Sequence, residues 1–230
     1  MNSVIYYSCT GHGKKIAEAV ADRLKTVPRE LTRDNLDDIL CEKFDAAIII
    51  FPVHCQSYPA FLKKFFKGLN ARTVSLIAVY GGADAGNAVY EAAKLIRATV
   101  NAAAYVPAGH SYLNDGYVPD GLPEALLEKL TNPAPVKIPK RRKTPFAGFL
   151  PSLRSRLIIK IRRNDTCVNC NTCGNNCPVG GIINGKTNRK CVRCLRCAEI
   201  CPRGALEVKK TRVLCRYLKK TKHSETFLYV

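Results

Sequence analysis

The 230-residue sequence lacks tryptophan, has a single methionine and contains no long apolar run. Its longest apolar stretch, 46–53, is far shorter than the ~20 residues that a membrane-spanning helix needs. The residues after Met1 lead directly into the apolar Val4 and Ile5, without the basic and apolar segments of a secretory signal. We therefore expect no membrane span and a cytoplasmic location.

Acidic residues are absent from 131–163, and only 4 occur in 131–230, against 23 lysines and arginines. In residues 1–130 the two signs cancel, with 14 of each, so the net charge of +19 lies entirely in the last hundred residues. Such a basic segment favours an acidic partner. No nucleic-acid recognition motif accompanies the charge, so we expect no nucleic-acid partner.

The common nucleotide-binding motifs are also missing. There is no Gly-x4-Gly-Lys-Ser/Thr sequence, and Gly11-x-Gly13 lacks the third glycine of a dinucleotide-binding loop because Ile16 stands there. No Ser/His/Asp or Cys/His arrangement indicates nucleophilic catalysis. A substrate-specific enzyme is therefore less expected than a carrier or binding protein.

Residues 1–130 alternate short apolar runs with helical patterns, which is typical of parallel strands joined by crossover helices. The pattern predicts strands at 4–7, 29–31, 46–51, 74–80 and 103–106. Helices are expected after Gly13 and at 36–43, 59–69, 86–100 and 123–130. The predicted fold class is α/β, a doubly wound sheet of five parallel strands.

In such a sheet the loops after the strands form the ligand site. The loop after the first strand, 8–13, places two hydroxyl side chains and two glycines at a helix N-terminus, which suits a phosphate. The loops 52–59 and 80–86 could enclose a flat ring between them. A plain strand-turn-helix corner is the alternative interpretation of the first loop.

These 130 residues resemble flavodoxin, whose FMN-phosphate loop reads Ser/Thr-x-Thr-Gly-Asn-Thr/Ser. Ser8, Thr10 and Gly11 match that loop, whereas His12 and Gly13 depart from it. The resemblance implies that FMN is bound by residues of the three loops: Ser8, Thr10, Gly11, His12, Gly13, Pro52, His54, Tyr58, Tyr80 and Gly81. Flavodoxin-like proteins often have glycines where Cys55 and Gln56 stand, so a module that has lost FMN remains an alternative.

Nine of the 12 cysteines lie between Cys167 and Cys215. Eight of them form Cys-x2-Cys-x2-Cys-x3-Cys-Pro, which occurs once from Cys167 and again, 24 residues later, from Cys191. Over sixteen aligned residues the two copies share seven identities, which indicates a duplicated half-domain. In a reducing compartment this density of cysteine favours metal over disulfides.

The duplicated motif resembles the bacterial two-cluster 4Fe-4S ferredoxin over 165–208. That resemblance assigns the metal ligands: Cys167, Cys170, Cys173 and Cys201 to one cluster, and Cys191, Cys194, Cys197 and Cys177 to the other. A zinc ribbon also uses Cys-x2-Cys, but its tetrahedral site is complete with four ligands. The in-register cysteines and both prolines favour clusters over zinc.

The expected organisation is a flavodoxin-like domain (1–130), a basic proline-rich linker (131–163) and a two-cluster ferredoxin domain with a basic tail (164–230). This arrangement resembles flavodoxin/ferredoxin fusion proteins of anaerobic prokaryotes, which implies electron transfer with FMN and two 4Fe-4S clusters. We expect a carrier that passes single electrons between redox partners, at least one with an acidic docking surface. The alternatives are an FMN-dependent oxidoreductase of a small substrate fed by the clusters, and a ferredoxin whose first module lacks FMN and only docks a partner.

Overall fold

A computed structural model describes residues 2–82, 84–113, 117, 119, 121–142, 151–219 and 226–230. The strands are β1 Asn2–Tyr6, β2 Arg29–Glu30, β3 Phe44–Pro52, β4 Ala71–Tyr80, β5 Thr99–Pro107, β6 Ile159–Arg163, β7 Ile182–Ile183, β8 Lys186–Thr187, β9 Leu206–Lys210 and β10 Phe227–Tyr229. The helices are α1 His12–Arg23, α2 Leu36–Cys41, α3 Leu62–Gly68, α4 Ala88–Ala93, α5 Glu124–Thr131, α6 Pro151–Ile158, α7 Thr172–Asn175, α8 Arg196–Glu199 and α9 Arg212–Leu218. Of the described helices, none combines the length and apolar composition that crossing a bilayer requires.

The first sheet has the strand order β10-β5-β4-β3-β1-β2. Its first five strands in the chain are parallel and follow the order 2-1-3-4-5, which is the flavodoxin-like order of doubly wound sheets. The predicted α/β fold is therefore confirmed. The prediction did not include β10, which comes from the C-terminus and pairs antiparallel with β5.

Side-chain alternation along the central strands gives this sheet an apolar layer on each face. Ile5, Ile49 and Phe51 pack on one face under α2, α3 and α4, whereas Val4 and Ile48 pack on the other face under α1 and α5. This sheet, with α1 to α5, is called the α/β unit below. Because β1, β3 and β4 are parallel, the loops that follow them lie at one edge of the sheet.

The helix predicted at 86–100 is shorter in the structure. α4 ends at Ala93, and β5 begins at Thr99, where β-branched Thr99 and Val100 pair with Thr73 and Val74 of β4. Pairing across a buried sheet outweighs the helical pattern at this point. β5 runs parallel to β4 and ends at Pro107, opposite Tyr80, so the loop after β5 starts at the same edge as the loops after β1, β3 and β4.

The cysteine-rich unit comprises α6 to α9 and β6 to β9. Part of the predicted linker belongs to it, because β6 pairs antiparallel with β9 over Ile159–Arg163. Residues 143–150 of that linker lie outside the described residues. The core of the unit combines Ile159, Ile161 and Leu214 with cysteines of both motifs.

Asn101 joins β5 to the end of α5 inside the α/β unit. Its side chain is buried, accepts a hydrogen bond from Ser75 Oγ at 2.9 Å and donates to the carbonyls of Lys129 and Asn132 at 3.1 and 2.7 Å. These bonds satisfy carbonyls at a helix end, where no intrahelical donor exists.

We predict that Asn101→Ala lowers the free energy of unfolding by about 2–3 kcal/mol, because it leaves the buried Ser75 hydroxyl and the carbonyls without partners. Urea denaturation measures this change. The control is Asn70→Ala at an exposed position, where the expected change is within about 0.5 kcal/mol. Equal stabilities of the two variants would contradict the role given to Asn101.

Candidate iron-sulfur and flavin sites

The two cysteine motifs have the same backbone conformation. Asn169 and Asn171 in the first copy have φ of 56° and 55°, and Arg193 and Leu195 in the second have φ of 59° and 68°. Left-handed conformations are uncommon for residues other than glycine, so their recurrence at equivalent positions reflects one duplicated loop.

A first cavity, called the outer cavity below, measures about 350 Å³ including its open mouth. Its cysteines are Cys167, Cys170, Cys173 and Cys201. Three come from the first motif and the fourth precedes the proline of the second motif. The cavity therefore gathers one of the two cysteine sets that the resemblance to the two-cluster ferredoxin implies.

A second cavity, the inner cavity, measures about 300 Å³ including its mouth. Its cysteines are Cys177, Cys191, Cys194 and Cys197, again three from one motif and one from the other. Ile161, Val192 and Leu195 contribute apolar side chains to its wall. The inner cavity, like the outer one, thus combines cysteines of both motifs.

The donors around these cavities suit an anionic cluster. The backbone N–H of Gly181 donates to Cys177 Sγ at 3.1 Å, and the equivalent N–H of Ala205 donates to Cys201 Sγ at 3.3 Å. Among the described residues, no three His, Cys, Asp or Glu side chains form a group that could hold a metal ion. In a 4Fe-4S cluster each cysteine binds a different iron, so its four sulfurs need not meet at one point.

Arg193 is the most unusual side chain at the inner cavity. It is only 9% exposed, its Nη1 donates to Cys191 Sγ at 3.1 Å, and its buried Nε has no hydrogen-bonding partner. A buried guanidinium without a paired anion is costly. A cluster with four thiolate ligands carries about −2 and would supply that anion, so the residues present fit such a group.

The inner cavity lies against the first loop of the α/β unit. Cys194 packs against the core cluster that contains the buried Cys9 thiol, and interaction with the Cys194 side chain lowers the pKa of Cys9. Arg196 Nη1 donates to the Ser8 carbonyl at 3.2 Å and to Glu30 Oε1 at 2.8 Å. These contacts join the second cysteine motif to the loop that the sequence assigns to phosphate.

Within that loop, Ser8 is the residue whose surroundings indicate a ligand-binding site. Its hydroxyl is buried and has no partner, although it lies at the N-terminus of the twelve-residue helix α1. Gly11 caps the helix at φ 83° with open space where a Cβ would stand, and Thr10 Oγ1 bonds His12 Nδ1 at 3.1 Å. A buried hydroxyl without a partner beside the N-terminus of a helix fits the phosphate of FMN.

The loop after β3 forms a tight turn at the same edge. His54 and Ser57 exchange backbone hydrogen bonds of 2.8 and 3.0 Å, and Cys55 and Gln56 between them have φ of 49° and 63°. These are the positive angles of a type I′ turn, which usually favour glycine or asparagine. Burial lowers the pKa of His54 to about 4, so its imidazole is neutral at pH 7.

The ring side of the predicted flavin site is covered by the chain's own side chains. A Cβ at Gly81 would lie 2.8 Å from the His110 imidazole, and one at Gly86 would lie 2.3 Å from atoms of Gln56. Asn87 N–H also donates to the Gln56 carbonyl at 2.9 Å, which ties the second loop to the third. The phosphate end therefore fits FMN more clearly than the ring end does.

The structure separates the predicted ring-binding residues. Pro52 and His54 are half-buried at the loop edge, and Tyr58 packs edge-on against Phe66 with ring centroids 5.4 Å apart. Tyr80 is 3% exposed and contacts the rings of Tyr105 and Phe227. Contact of these residues with a flavin stays a prediction.

Sequence reasoning missed two residues at this edge, His110 and Tyr112. They follow β5, their rings lie 4.9 Å apart, and Tyr112 packs against the core of the cysteine-rich unit. Burial and neighbouring thiols, Cys55 foremost, raise the pKa of Tyr112. They belong to no recognised sequence motif. The available signal was the presence of two ring side chains, two residues apart, shortly after the last predicted strand.

Comparisons with known proteins agree with the cysteine pattern. The family model of the 4Fe-4S binding domain matches residues 187–207, which include the second motif. A comparison with curated proteins finds no match.

Solved structures similar to the chain include three flavodoxins. One is the two-electron reduced flavodoxin of Megasphaera elsdenii, at 19% identity and a TM-score of 0.40, covering 56% of this chain and 95% of that one. Another is the flavodoxin of Fusobacterium nucleatum bound to flavin mononucleotide, at 14% identity and a TM-score of 0.34, covering 52% and 75%. A third, from the domain Archaea, has 18% identity and a TM-score of 0.35, covering 44% and 78%.

The fold assignment rests on the strand order of the α/β unit, and the metal assignment on the matched cysteine motif. The chain joins a flavodoxin-like α/β fold to a ferredoxin-type 4Fe-4S binding domain.

Proposed function

We propose that this protein is an electron carrier that holds two 4Fe-4S clusters, one in each cavity, and FMN at the first loop of the α/β unit. The observation that carries the proposal is the pair of cavities, each lined by four cysteines drawn from both motifs. When bound, the clusters exchange one electron each and FMN exchanges up to two, which is the chemistry of a carrier.

The chain's own residues would then perform four tasks. Cysteines hold the clusters, backbone amides and Arg193 donate to the ligand sulfurs, and Arg196 holds the inner cavity against the first loop. Ser8 and the N-terminus of α1 would hold the FMN phosphate. The basic cysteine-rich half favours an acidic redox partner.

A specific observation favours a second candidate function. The His110 imidazole lies close to Gly81, and Cβ and backbone atoms of Gln56 lie close to Gly86, both in the loop predicted to enclose the flavin ring. In that case the protein is a two-cluster ferredoxin whose α/β unit only recognises a partner. The flavin content of the purified protein separates the two candidates.

Iron content tests the cluster assignment. The protein purified without oxygen is expected to hold about eight irons and eight sulfides per chain, and Cys170→Ala or Cys194→Ala about four of each, because each change removes one ligand from one cavity. Cys215→Ala is the control, since this exposed cysteine lies outside both motifs. Full iron content in Cys170→Ala would refute the ligand sets.

Flavin content tests the FMN assignment. After incubation with FMN and desalting, about one acid-released flavin per chain is expected. Ser8→Ala should weaken FMN binding about tenfold or more, because a buried hydrogen bond to a phosphate is lost. The control is Ser3→Ala, a buried serine in β1 away from the loop. Absence of flavin in the unaltered protein would establish the second candidate.

The buried charge of Arg193 predicts that the two clusters differ in reduction potential. Arg193→Gln keeps a hydrogen-bond donor but removes a positive charge that favours the reduced cluster, so one potential should fall by roughly 60 mV, equivalent to about 1.4 kcal/mol. The matched control is Asn169→Gln at the equivalent, exposed position of the first copy. Potentiometric titration followed by electron paramagnetic resonance measures both clusters; equal shifts in the two variants would contradict the role of Arg193.

A further inference from the structure

The internal duplication provides a comparison of the same loop in two surroundings. Val168, Asn169 and Cys170 of the first copy are all exposed, and Val168 retains 61% of its surface. Their equivalents, Val192, Arg193 and Cys194, are half-buried or buried. Since the backbones are alike, the difference comes from what each loop faces.

The second loop faces the α/β unit. Cys194 contacts Cys9, Arg196 bonds Ser8 and Glu30, and Tyr112 packs against the core of the cysteine-rich unit. A large partner protein therefore reaches the outer cavity more closely than the inner one. Electron exchange between proteins depends on close approach of the cofactors. The outer cavity is therefore better placed than the inner one to exchange electrons with another protein.

The rim of the outer cavity has the composition of a transient interface. The exposed apolar side chain of Val168 lines the cavity among polar loop residues, and the 59% exposed Ile183 directly precedes the lining residue Asn184. Interfaces of this kind combine a small apolar centre with a polar rim. Electron-transfer complexes in particular are small and short-lived.

Positive charge surrounds this apolar centre. Arg203 lines the cavity and is exposed, and exposed Lys186 follows the lining residue Gly185. Arg163 is held at the rim by bonds from its Nη1 to Asn169 Oδ1 at 2.6 Å and to the Asn184 carbonyl at 3.2 Å. Asp165 and Glu207 are the nearby acidic residues in the sequence, against these three cations.

We propose that the outer face, formed by Val168, Ile183, Arg163, Lys186 and Arg203, docks an acidic redox protein and is where electrons leave or enter the chain. This inference rests on the proposed function and adds which cavity meets the partner. Opposite charge accelerates the encounter, and the apolar centre allows close approach over the outer cavity.

The test uses an acidic rubredoxin as the probe, with the complete, iron-loaded protein. We expect surface plasmon resonance to give a Kd for rubredoxin that rises with salt, and stopped-flow mixing to give an electron-transfer rate constant that falls with salt. Arg203→Glu should weaken binding and slow transfer about tenfold at low salt. Lys67→Glu, the same charge change on α3 of the α/β unit, is expected to change both less than twofold.

A second pair of variants tests the apolar centre. Val168→Asp should weaken rubredoxin binding, whereas Val213→Asp, at a 74% exposed position on α9, should not. Iron content and both reduction potentials are measured for every variant, so that a lost cluster is not mistaken for a lost contact. A variant that loses iron is replaced by Lys186→Glu at the same rim.

The outcomes separate the inference from the function on which it rests. Absence of iron from the unaltered protein would refute the proposed function. Full iron with equal effects of Arg203→Glu and Lys67→Glu would refute the outer face alone. Tighter binding of a short DNA duplex than of rubredoxin, weakened by Arg203→Glu, would show a nucleic-acid surface and overturn the proposal.

Discussion

The contact of Arg196 with the first loop of the α/β unit links the two halves of this protein at the predicted phosphate loop. Its guanidinium donates to a backbone carbonyl of Ser8 and to the Glu30 carboxylate, and both partners belong to the strand edge that forms the ligand site of such sheets. A carboxylate contact that is partly shielded from water is stronger than an exposed one. The contact places Cys194 beside Cys9 and so brings the inner cavity to the predicted phosphate loop.

One position of the duplicated motif differs between the copies in the contacts that its side chain makes. Thr172 is the equivalent of Arg196, and its hydroxyl lies 3.3 Å from Cys170 Sγ within its own loop. Arginine at that position reaches across to another unit, whereas threonine does not. The backbone donors to Cys177 and Cys201 are shared by both copies, so the main differences between the cavities come from side chains and burial.

The sequence was sufficient for the α/β class and for the two cysteine motifs, because the alternation of strands with helices and the cysteine spacing are local patterns. The strand order is seen in the structure alone, and the division of the cysteines between two clusters is what the resemblance to ferredoxin implies. The sequence was not sufficient for β10, since a strand of three residues after a basic segment has no periodicity to distinguish it from a loop. The burial of Arg193 could not be predicted from the sequence either, because arginine side chains are usually exposed to solvent. Only the fold shows that its partner is a cysteine sulfur. His110 was missed because its closeness to Gly81 depends on where β5 ends.

The path of the chain also connects the α/β unit and the cysteine-rich unit to each other. After α5 the chain passes to the cysteine-rich unit, and it returns as β10 to pair with β5. Arg141 lies over the Phe227 ring, 4.1 Å from its centroid, and its backbone N–H donates to Asn87, so the outgoing and returning segments contact each other. Two covalent connections and the Arg196 contact restrict relative motion more than one flexible linker would. In the proposed carrier, transfer between the first loop and the inner cavity is then a fixed intramolecular step, and only exchange at the outer face depends on an encounter with another protein.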